Sequence, residues 1–352
     1  MKEPSNDTGR IEYFDFLRVL AAFSVVLVHV NGISWGSINV RSFTWLVLTI
    51  IHGTITWTIP VFMMMSGAIF LGNRYSIKKI ISKYFLKIVM AYIIWSALYV
   101  IMQIGSGQVT GTNIIFEFIN GPYHFWYLPW IALMYLLTPI LQKITDSKQT
   151  VKYVLVLSVI VNSIIPQIMD TVALFSDLGL EILVAAYSKI APGELFDVFY
   201  FLFGWYLANA EISKKQRRII YILGGAGLLY TILITAFASI WKGYLIGSFI
   251  ASYHVNTMLF STAVFVYAKY HFSYDKVSKV VKKAVQSLGY NSFGIYLVHA
   301  MVLASITKPF GDQLFAENTV LIGFVIALLV FLISYIVSAV IHAIPLLRKY
   351  MV

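Results

Sequence analysis

Residues 13–29 read YFDFLRVLAAFSVVLVH, and this stretch indicates the class of protein to which the chain belongs. It opens an apolar run over 14–34, and about 20 apolar residues is the length that an α-helix needs to cross the hydrocarbon core of a membrane. Three ionisable residues, Asp15, Arg18 and His29, interrupt the run. Ionisable side chains are costly in lipid and usually face a protein interior or a cavity, so these three are candidates for function. The stretch predicts a transmembrane helix that carries part of a site.

The composition of the whole chain agrees with a membrane protein. Of its 352 residues, 59% are hydrophobic and 12% are charged, whereas soluble domains carry about 25% charged residues. The chain has no cysteine, which excludes disulfides, Cys-ligated zinc, iron–sulfur clusters and a thiol nucleophile. Any catalysis must therefore use other side chains.

Ten apolar stretches have about the length of a membrane-spanning helix. They lie at 14–34, 52–72, 84–105, 124–142, 151–169, 195–210, 219–240, 255–270, 289–307 and 320–345. We place both termini in the cytoplasm because cytoplasmic loops carry an excess of Lys and Arg. With this orientation the opposite loops hold only four basic residues, Arg41, Lys189, Lys242 and Lys308. This one-sided charge supports both the number of spans and the orientation.

The chain is predicted to be a single all-α, polytopic membrane domain over 1–352, with a cytoplasmic N-terminal segment, 1–13, and a cytoplasmic tail, 346–352. The polar first 13 residues and the interruption at Arg18 do not resemble a secretory signal peptide, so the first helix is expected to be retained. The formal net charge of +11 orients the protein against anionic lipid. It also suits a polyanionic substrate such as a nucleotide on the cytoplasmic side, and no nucleic-acid-binding module is recognisable.

The first helix places a cation and an imidazole on one face. From Arg18 to His29 is 11 residues, so the two side chains share a face of an ideal helix and lie about 16 Å apart along its axis. Asp15 precedes Arg18 by three residues and can pair with it. A structural role, with Arg18 reaching the headgroups beside Asp15, is open for the arginine. His29 lies far from the inner surface, and imidazole is the side chain best suited to move protons near neutral pH.

Two further histidines are predicted at a similar depth. His124 opens the fourth helix from the outer side, and His299 lies about two thirds of the way along the ninth. Both can converge with His29 on one outer cavity that also includes the neighbouring aromatic and acidic residues Trp126, Tyr296, Glu194 and Asp197. A place in an interfacial aromatic belt is the alternative for His124, and packing is the alternative for His299. No helix carries the i, i+4 histidine pair of a zinc site, so no metal is predicted.

A proline and two small residues mark the second predicted helix, which reads PVFMMMSG over 60–67. Pro60 predicts a kink. Ser66 and Gly67 indicate close helix packing, with a ligand channel as the alternative.

These motifs together resemble acyltransferase family 3, a group of integral membrane acyltransferases that includes bacterial enzymes that O-acetylate cell-surface glycans. The most specific match is the family pattern of a basic residue, ten residues and a histidine, met by Arg18 and His29. Supporting matches are the stretch 60–67, HFWYL at 124–128, FGWYL at 203–207 and IYLVH at 295–299. The resemblance covers most of the chain.

The resemblance implies transfer of an acyl group, usually acetyl, from cytoplasmic acyl-CoA to a hydroxyl of an acceptor on the outer side. Acetyl-CoA is then a co-substrate, and no permanently bound cofactor is expected. His29 is expected to be the general base, with an acyl-imidazole on His29 as an alternative. Arg18, oriented by Asp15, would organise the inner channel or bind the donor. The candidate acyl-CoA contacts are Ser66, Gly67, Arg74, Lys78, Lys79 and Lys83.

Peptidoglycan, exopolysaccharide, lipid-linked sugars and small molecules are all open as acceptors, acetyl and succinyl are both open as the acyl group, and no oligomeric state is predicted. The expected location is the plasma membrane of a bacterium. A secondary transporter or glycan exporter, with Arg18 as counter-ion and His29 as proton relay, is the alternative function. A receptor or scaffold would leave the aligned Arg18 and His29 unexplained.

Overall fold

The computed structural model of the chain describes residues 11–111, 113–190, 196–309 and 319–352. It is 85% helical, and its described residues form no strand. The fold is therefore all-α, as the composition predicts.

Fourteen helices are numbered here in chain order. They are α1 Glu12–Trp35, α2 Phe43–Ile55, α3 Thr58–Gly72, α4 Ile77–Gly105, α5 Asn113–Asn120, α6 Tyr127–Thr145, α7 Lys148–Ala173, α8 Asp177–Ile190, α9 Phe196–Asn209, α10 Lys214–Lys242, α11 Val255–His271, α12 Lys279–Thr307, α13 Thr319–Ala343 and α14 Pro345–Met351. Short π-helical stretches, Ile80–Phe85 and Ile160–Ile164, lie within α4 and α7. A 3-10 turn, Tyr123–Trp126, leads into α6.

Within the described residues, nine helical segments are long and apolar enough to cross a membrane, and α2 and α3 together count as one of them. The predicted span without such a segment, 195–210, corresponds to α9, which has 14 residues. A helix of that length is about 21 Å long, less than the hydrocarbon core of about 30 Å. The chain is a multi-pass membrane protein, and the cytoplasmic location of its termini stays a prediction.

The proline of the second predicted helix does not kink it. The chain instead breaks between α2 and α3 at Thr56 and Trp57, and Pro60 lies in the first turn of α3. The backbone N–H groups in the first turn of a helix have no acceptor within the helix. A proline there, which has no N–H, therefore costs no helical hydrogen bond. The prediction of a kink at Pro60 was therefore wrong, and the break lies one turn earlier.

The segment expected to be a tail is a helix packed against the bundle. The indole Nε1 of Trp95 in α4 donates to the carbonyl oxygen of Met351, at 2.9 Å. The side chain of Val352 is 1% exposed and lies next to Gly294 of α12. Residues 346–352 are thus part of the folded domain rather than a free extension.

Helix α3 packs unusually closely against α9. A Cβ atom at Gly67 would lie 1.8 Å from the carbonyl oxygen of Phe201, and one at Gly204 would lie 2.0 Å from that of Met64. Only glycine permits such an approach, which is the means by which membrane helices pack tightly. The packing interpretation therefore holds for Gly67.

Candidate active site

The predicted pair of Asp15 and Arg18 is present in α1. Nη1 of Arg18 donates to Oδ1 of Asp15 at 3.1 Å, and the hydroxyl of Tyr274 donates to Oδ2 at 2.7 Å. Asp15 is fully buried, and α12 passes next to it at Gly289. Because both carboxylate oxygens are bonded, Asp15 holds the guanidinium in a defined place. The Arg18 side chain is 30% exposed and so can still meet a ligand.

The Arg18 side chain opens into a cavity of about 360 Å³ between α1, α3, α4, α6 and α12. Its lining consists of two cations, two serines, four isoleucines and seven aromatic residues: Arg18, Lys87, Ser66, Ser292, Ile59, Ile69, Ile88, Ile131, Phe62, Phe70, Tyr84, Tyr127, Tyr135, Phe293 and Tyr296. A mainly apolar pocket with a few convergent polar groups is typical of a small-molecule site.

The three histidines predicted at one depth lie together. The ring centroids are 4.7 Å apart for His124 and His299, 5.1 Å for His29 and His299, and 6.2 Å for His29 and His124. They come from α1, from the 3-10 turn before α6 and from α12. We call these three residues the histidine cluster. No group of three or more His, Cys, Asp or Glu in the described part of the chain is arranged to hold a metal ion.

A backbone hydrogen bond determines the tautomer of His299. Its Nδ1 lies 2.7 Å from the carbonyl oxygen of Tyr296. A carbonyl only accepts, so Nδ1 carries the proton and Nε2 of the neutral ring carries a lone pair. That Nε2 atom is buried and has no hydrogen-bond partner among the described residues. It can therefore accept a proton or a hydrogen bond from a substrate, from water or from a neighbouring ring.

His124 is held inside the bundle, with its side chain 2% exposed. Its carbonyl oxygen accepts a hydrogen bond from the hydroxyl of Tyr296. The ring of Tyr99 lies 5.6 Å from the imidazole, and the Tyr99 hydroxyl bonds to the carbonyl of Leu297 and the N–H of Met301, each at 3.0 Å. The interfacial-belt alternative for His124 was therefore wrong.

Tyr296 joins the cavity to the histidine cluster. It lines the cavity together with Arg18, and its ring centroid lies 5.5 Å from that of His124 and 6.1 Å from that of His299. The same ring lies 5.9 Å from Tyr127, another lining residue. The cavity and the cluster therefore share a wall.

The other residues predicted at the outer cavity lie apart from the cluster or outside the described residues. The side chain of Trp126 is 45% exposed, and its ring lies 6.4 Å from that of Tyr127. Asp197 is the second residue of α9, but its side chain falls outside the described part. Glu194 lies outside the described residues. The structure thus brings together the three histidines and Tyr296 only.

Of the residues predicted to bind acyl-CoA, Ser66 alone lines the cavity. Arg74 donates to a carboxylate oxygen of Asp146, which lowers the pKa of that carboxyl. The other three basic residues, Lys78, Lys79 and Lys83, are exposed, and the Lys79 ammonium lies 4.4 Å from the ring centroid of Tyr75. Their role in binding the donor remains a prediction.

Lys87 is a cavity residue that the sequence analysis overlooked. It lies inside the apolar run 84–105, where an ionisable residue is a candidate for function in its own right. The basic residues that precede it, Arg74 to Lys83, make an orienting charge the simpler interpretation from sequence alone. The tyrosines of the cavity, Tyr84, Tyr127 and Tyr135, gave no comparable signal because aromatic residues are common throughout this chain.

Comparison with known proteins agrees with the motifs. The model of acyltransferase family 3, described as an acyltransferase domain, matches residues 11–339. No curated protein and no solved structure matches the chain. The match covers nearly the whole chain and includes Arg18, Ser66 and the histidine cluster. The chain belongs to acyltransferase family 3 and is a membrane acyltransferase.

Proposed function

We propose that the protein transfers an acetyl group from cytoplasmic acyl-CoA to a hydroxyl of an acceptor on the opposite side of the membrane. The proposed acceptor is a cell-envelope glycan or a lipid-linked sugar. The proposed location is the plasma membrane of a bacterium, since the family includes bacterial enzymes that O-acetylate cell-surface glycans. Acyl-CoA is a co-substrate in this scheme and is not held permanently.

One observation carries the proposal: the Arg18 cavity and the histidine cluster share Tyr296 as a wall. Arg18 lies near one end of α1, and His29 lies 11 residues, or about 16 Å, further along the helix. A thin acyl-pantetheine arm that enters beside Arg18 would need to cross only part of the membrane to bring its thioester near His29. The acceptor hydroxyl would reach the histidines from the other side.

Two cations would bind the donor. Arg18, held by Asp15, and Lys87 both line the cavity, and coenzyme A carries several phosphate charges. The apolar and aromatic lining suits the uncharged arm, since such pockets bind through buried apolar contact with a few polar groups for orientation. Asp15 is a positioning residue in this scheme because it acts through Arg18.

In the proposed reaction His29 is the general base. A ring nitrogen of His29 takes the proton of the acceptor hydroxyl while the oxygen attacks the thioester carbonyl carbon. The C–O bond forms, the C–S bond breaks, and the imidazolium returns the proton to the leaving thiolate. The products are the acetyl ester and free coenzyme A. His299 accepts a hydrogen bond through Nε2 and so positions the hydroxyl or the His29 ring.

Radiolabelled acetyl-CoA offered to purified protein in nanodiscs tests this function. We expect saturable binding and slow thioester hydrolysis by the wild type. Arg18→Ala should weaken binding, and His29→Ala should abolish hydrolysis and transfer while insertion and folding stay intact. The matched controls are Arg41→Ala, in a loop after α1, and His271→Ala, at the end of α11.

Two results would contradict the proposal. Turnover retained by folded His29→Ala would remove the general base from the mechanism. Folded wild-type protein that binds neither acetyl-CoA nor another short acyl-CoA would exclude the proposed donor, and transport of a glycan would then be the function to test.

A further inference from the structure

The last helix of the chain, α14, packs against two helices that also form walls of the Arg18 cavity. Trp95 of α4 donates a hydrogen bond to the backbone of α14, and Lys87 of the same helix lines the cavity. Val352 lies next to Gly294 of α12, and Ser292, two residues earlier in α12, is another lining residue. The end of the chain therefore lies beside the cavity.

This packing brings three cations together. Lys87 lies on α4, Lys83 precedes it by about one turn, and Arg348 is the fourth residue of α14. The imidazole of His342 is close enough to both Lys87 and Arg348 to interact with their charges, and Lys83 is similarly close to Lys87. We call Lys83, Lys87 and Arg348 the cation group.

No carboxylate balances the cation group within the described part of the chain. Its members form no ion pair with any described residue, whereas Arg18 is paired with Asp15. All three side chains are exposed, so a ligand can reach them. Like charges that the fold holds together repel one another, and a bound anion removes that cost. The arrangement therefore favours an anion that carries several negative charges.

Two neighbouring basic residues do not belong to the group. Nδ1 of His342 lies 3.0 Å from the carbonyl oxygen of Ser338, so its N–H is used within α13. Lys349 follows Arg348 and projects about 100° away from it around the helix. The ammonium of Lys349 lies 4.8 Å from the ring centroid of Tyr350. Lys349 therefore offers a matched control for Arg348.

The adjoining cavity indicates which anion binds. In the proposed function, on which this inference rests, the uncharged pantetheine arm of acyl-CoA occupies the Arg18 cavity. That arm is joined directly to a diphosphate, so the phosphates must lie where the cavity ends. Lys87 belongs both to the cavity lining and to the cation group, which places a cation at this junction. A lipid headgroup carries the same phosphate chemistry, but lipid chains lie in the bilayer and do not explain a cavity next to the cations.

We propose that Arg348 of α14, together with Lys83 and Lys87 of α4, binds the phosphates of the acyl-CoA donor. Helix α14 is then a wall of the donor site, at a place where the sequence predicts only a cytoplasmic tail. A guanidinium can donate two parallel hydrogen bonds to one phosphate. Arg348 does not touch the reacting atoms, so it should affect capture of the donor and not the chemical step.

Thioester hydrolysis by the full chain in nanodiscs tests the proposal with two donors. They are acetyl-CoA and S-acetylpantetheine, which has the same arm and thioester but no phosphate. Arg348→Gln should raise KM for acetyl-CoA about 5- to 30-fold, the size expected for hydrogen bonds to a charged group at an exposed site. We expect kcat to stay within about two-fold. With S-acetylpantetheine, kcat/KM of Arg348→Gln should equal that of the wild type.

Two further variants and a change of lipid locate the effect. Lys349→Gln removes the same charge from the next position of α14 and should leave KM for acetyl-CoA within about two-fold. Lys87→Gln should raise KM, and its effect should not multiply with that of Arg348→Gln, since both side chains bind one diphosphate. Nanodiscs of phosphatidylcholine, with and without phosphatidylglycerol, separate the donor phosphates from those of lipid. A thermal midpoint for each variant checks that it folds.

Four results would overturn the proposal. Equal increases in KM for Arg348→Gln and Lys349→Gln would indicate a general effect of surface charge. An equal loss with S-acetylpantetheine would mean that Arg348 supports the fold of the cavity. A KM that phosphatidylglycerol raises in the wild type but not in Arg348→Gln would assign the site to a lipid phosphate. An unchanged KM for acetyl-CoA in Arg348→Gln would overturn this inference alone, whereas folded wild-type protein that binds and hydrolyses neither donor would remove the proposed function as well.

Discussion

Two of the regions in which this protein buries histidine use it in opposite ways. In the histidine cluster, none of the three rings bonds to a described carboxylate, and Nε2 of His299 has no partner among the described residues. Near the start of α11, His254 is instead bonded to Asp170 at 2.8 Å. The first arrangement leaves nitrogen atoms available for a substrate. The second arrangement joins α7 to the start of α11 and so stabilises the fold.

The comparison predicts that removing a histidine of the cluster affects activity far more than folding. His299→Ala should lower kcat for acetyl transfer about 10- to 100-fold, because the hydroxyl or His29 loses a hydrogen bond in a dry site. KM for acyl-CoA should stay within about two-fold, since the donor phosphates are bound elsewhere. Steady-state kinetics with purified protein measure both.

His342→Ala, in a half-buried position at the end of α13, is the matched control for His299→Ala. The thermal midpoint of each variant shows whether a loss of activity comes from a misplaced group in the active site or from a less stable fold. If His299→Ala lost stability in proportion to its activity, the two histidine regions would not differ in the way described, and the lone pair on Nε2 would have no special role.

The opposite result is expected when the hydrogen bond between His254 and Asp170 is broken. Asp170→Ala leaves Nε2 of His254 buried without a partner, which costs about 1–3 kcal/mol of folding free energy. We expect a lower thermal midpoint in detergent and weaker protection of the start of α11 in hydrogen exchange. Asp177→Ala, an exposed acid in the first turn of α8, should change neither. An unchanged midpoint in Asp170→Ala would show that the pair does not hold the helices together.

The two histidine regions also differ in how far the sequence predicts their contacts. The Asp15–Arg18 pair was predictable because i, i+3 residues are neighbours on a helix. The meeting of His29, His124 and His299 was predictable in outline because hydropathy places each residue at a depth in the membrane. Depth alone was enough there, because the three histidines meet although each comes from a different segment of the chain.

Lateral neighbours were not predictable in the same way. Asp170 and His254 are 84 positions apart, and nothing in their local sequence says that α7 lies beside α11. Lys87 was missed for a different reason, because a run of basic residues before it offered a simpler explanation. The break before α3 was missed because a proline is a stronger signal than Thr56 and Trp57, although the ring in fact fits the first turn.

The smallest effect in this set should come from the hydroxyl that supports the cluster from α4. Tyr99 donates to the carbonyl of Leu297 and accepts from the N–H of Met301, two backbone groups that are one turn apart in α12 and lie on either side of His299. Tyr99→Phe keeps the ring beside His124 and removes only these bonds. We expect a loss of about 1 kcal/mol in stability, because the two backbone groups can bond to each other instead.

Activity separates this role from simple packing. If the Tyr99 hydroxyl holds α12 in the shape that aims His299, Tyr99→Phe should lower kcat a few-fold, less than His299→Ala does, and should have no further effect in the His299→Ala background. Kinetics of the two single variants and the double variant test this, since residues that act through one another are not additive. Independent, additive losses would mean that the hydroxyl stabilises the helix without positioning the imidazole, and the cluster would then be held in place by its own rings.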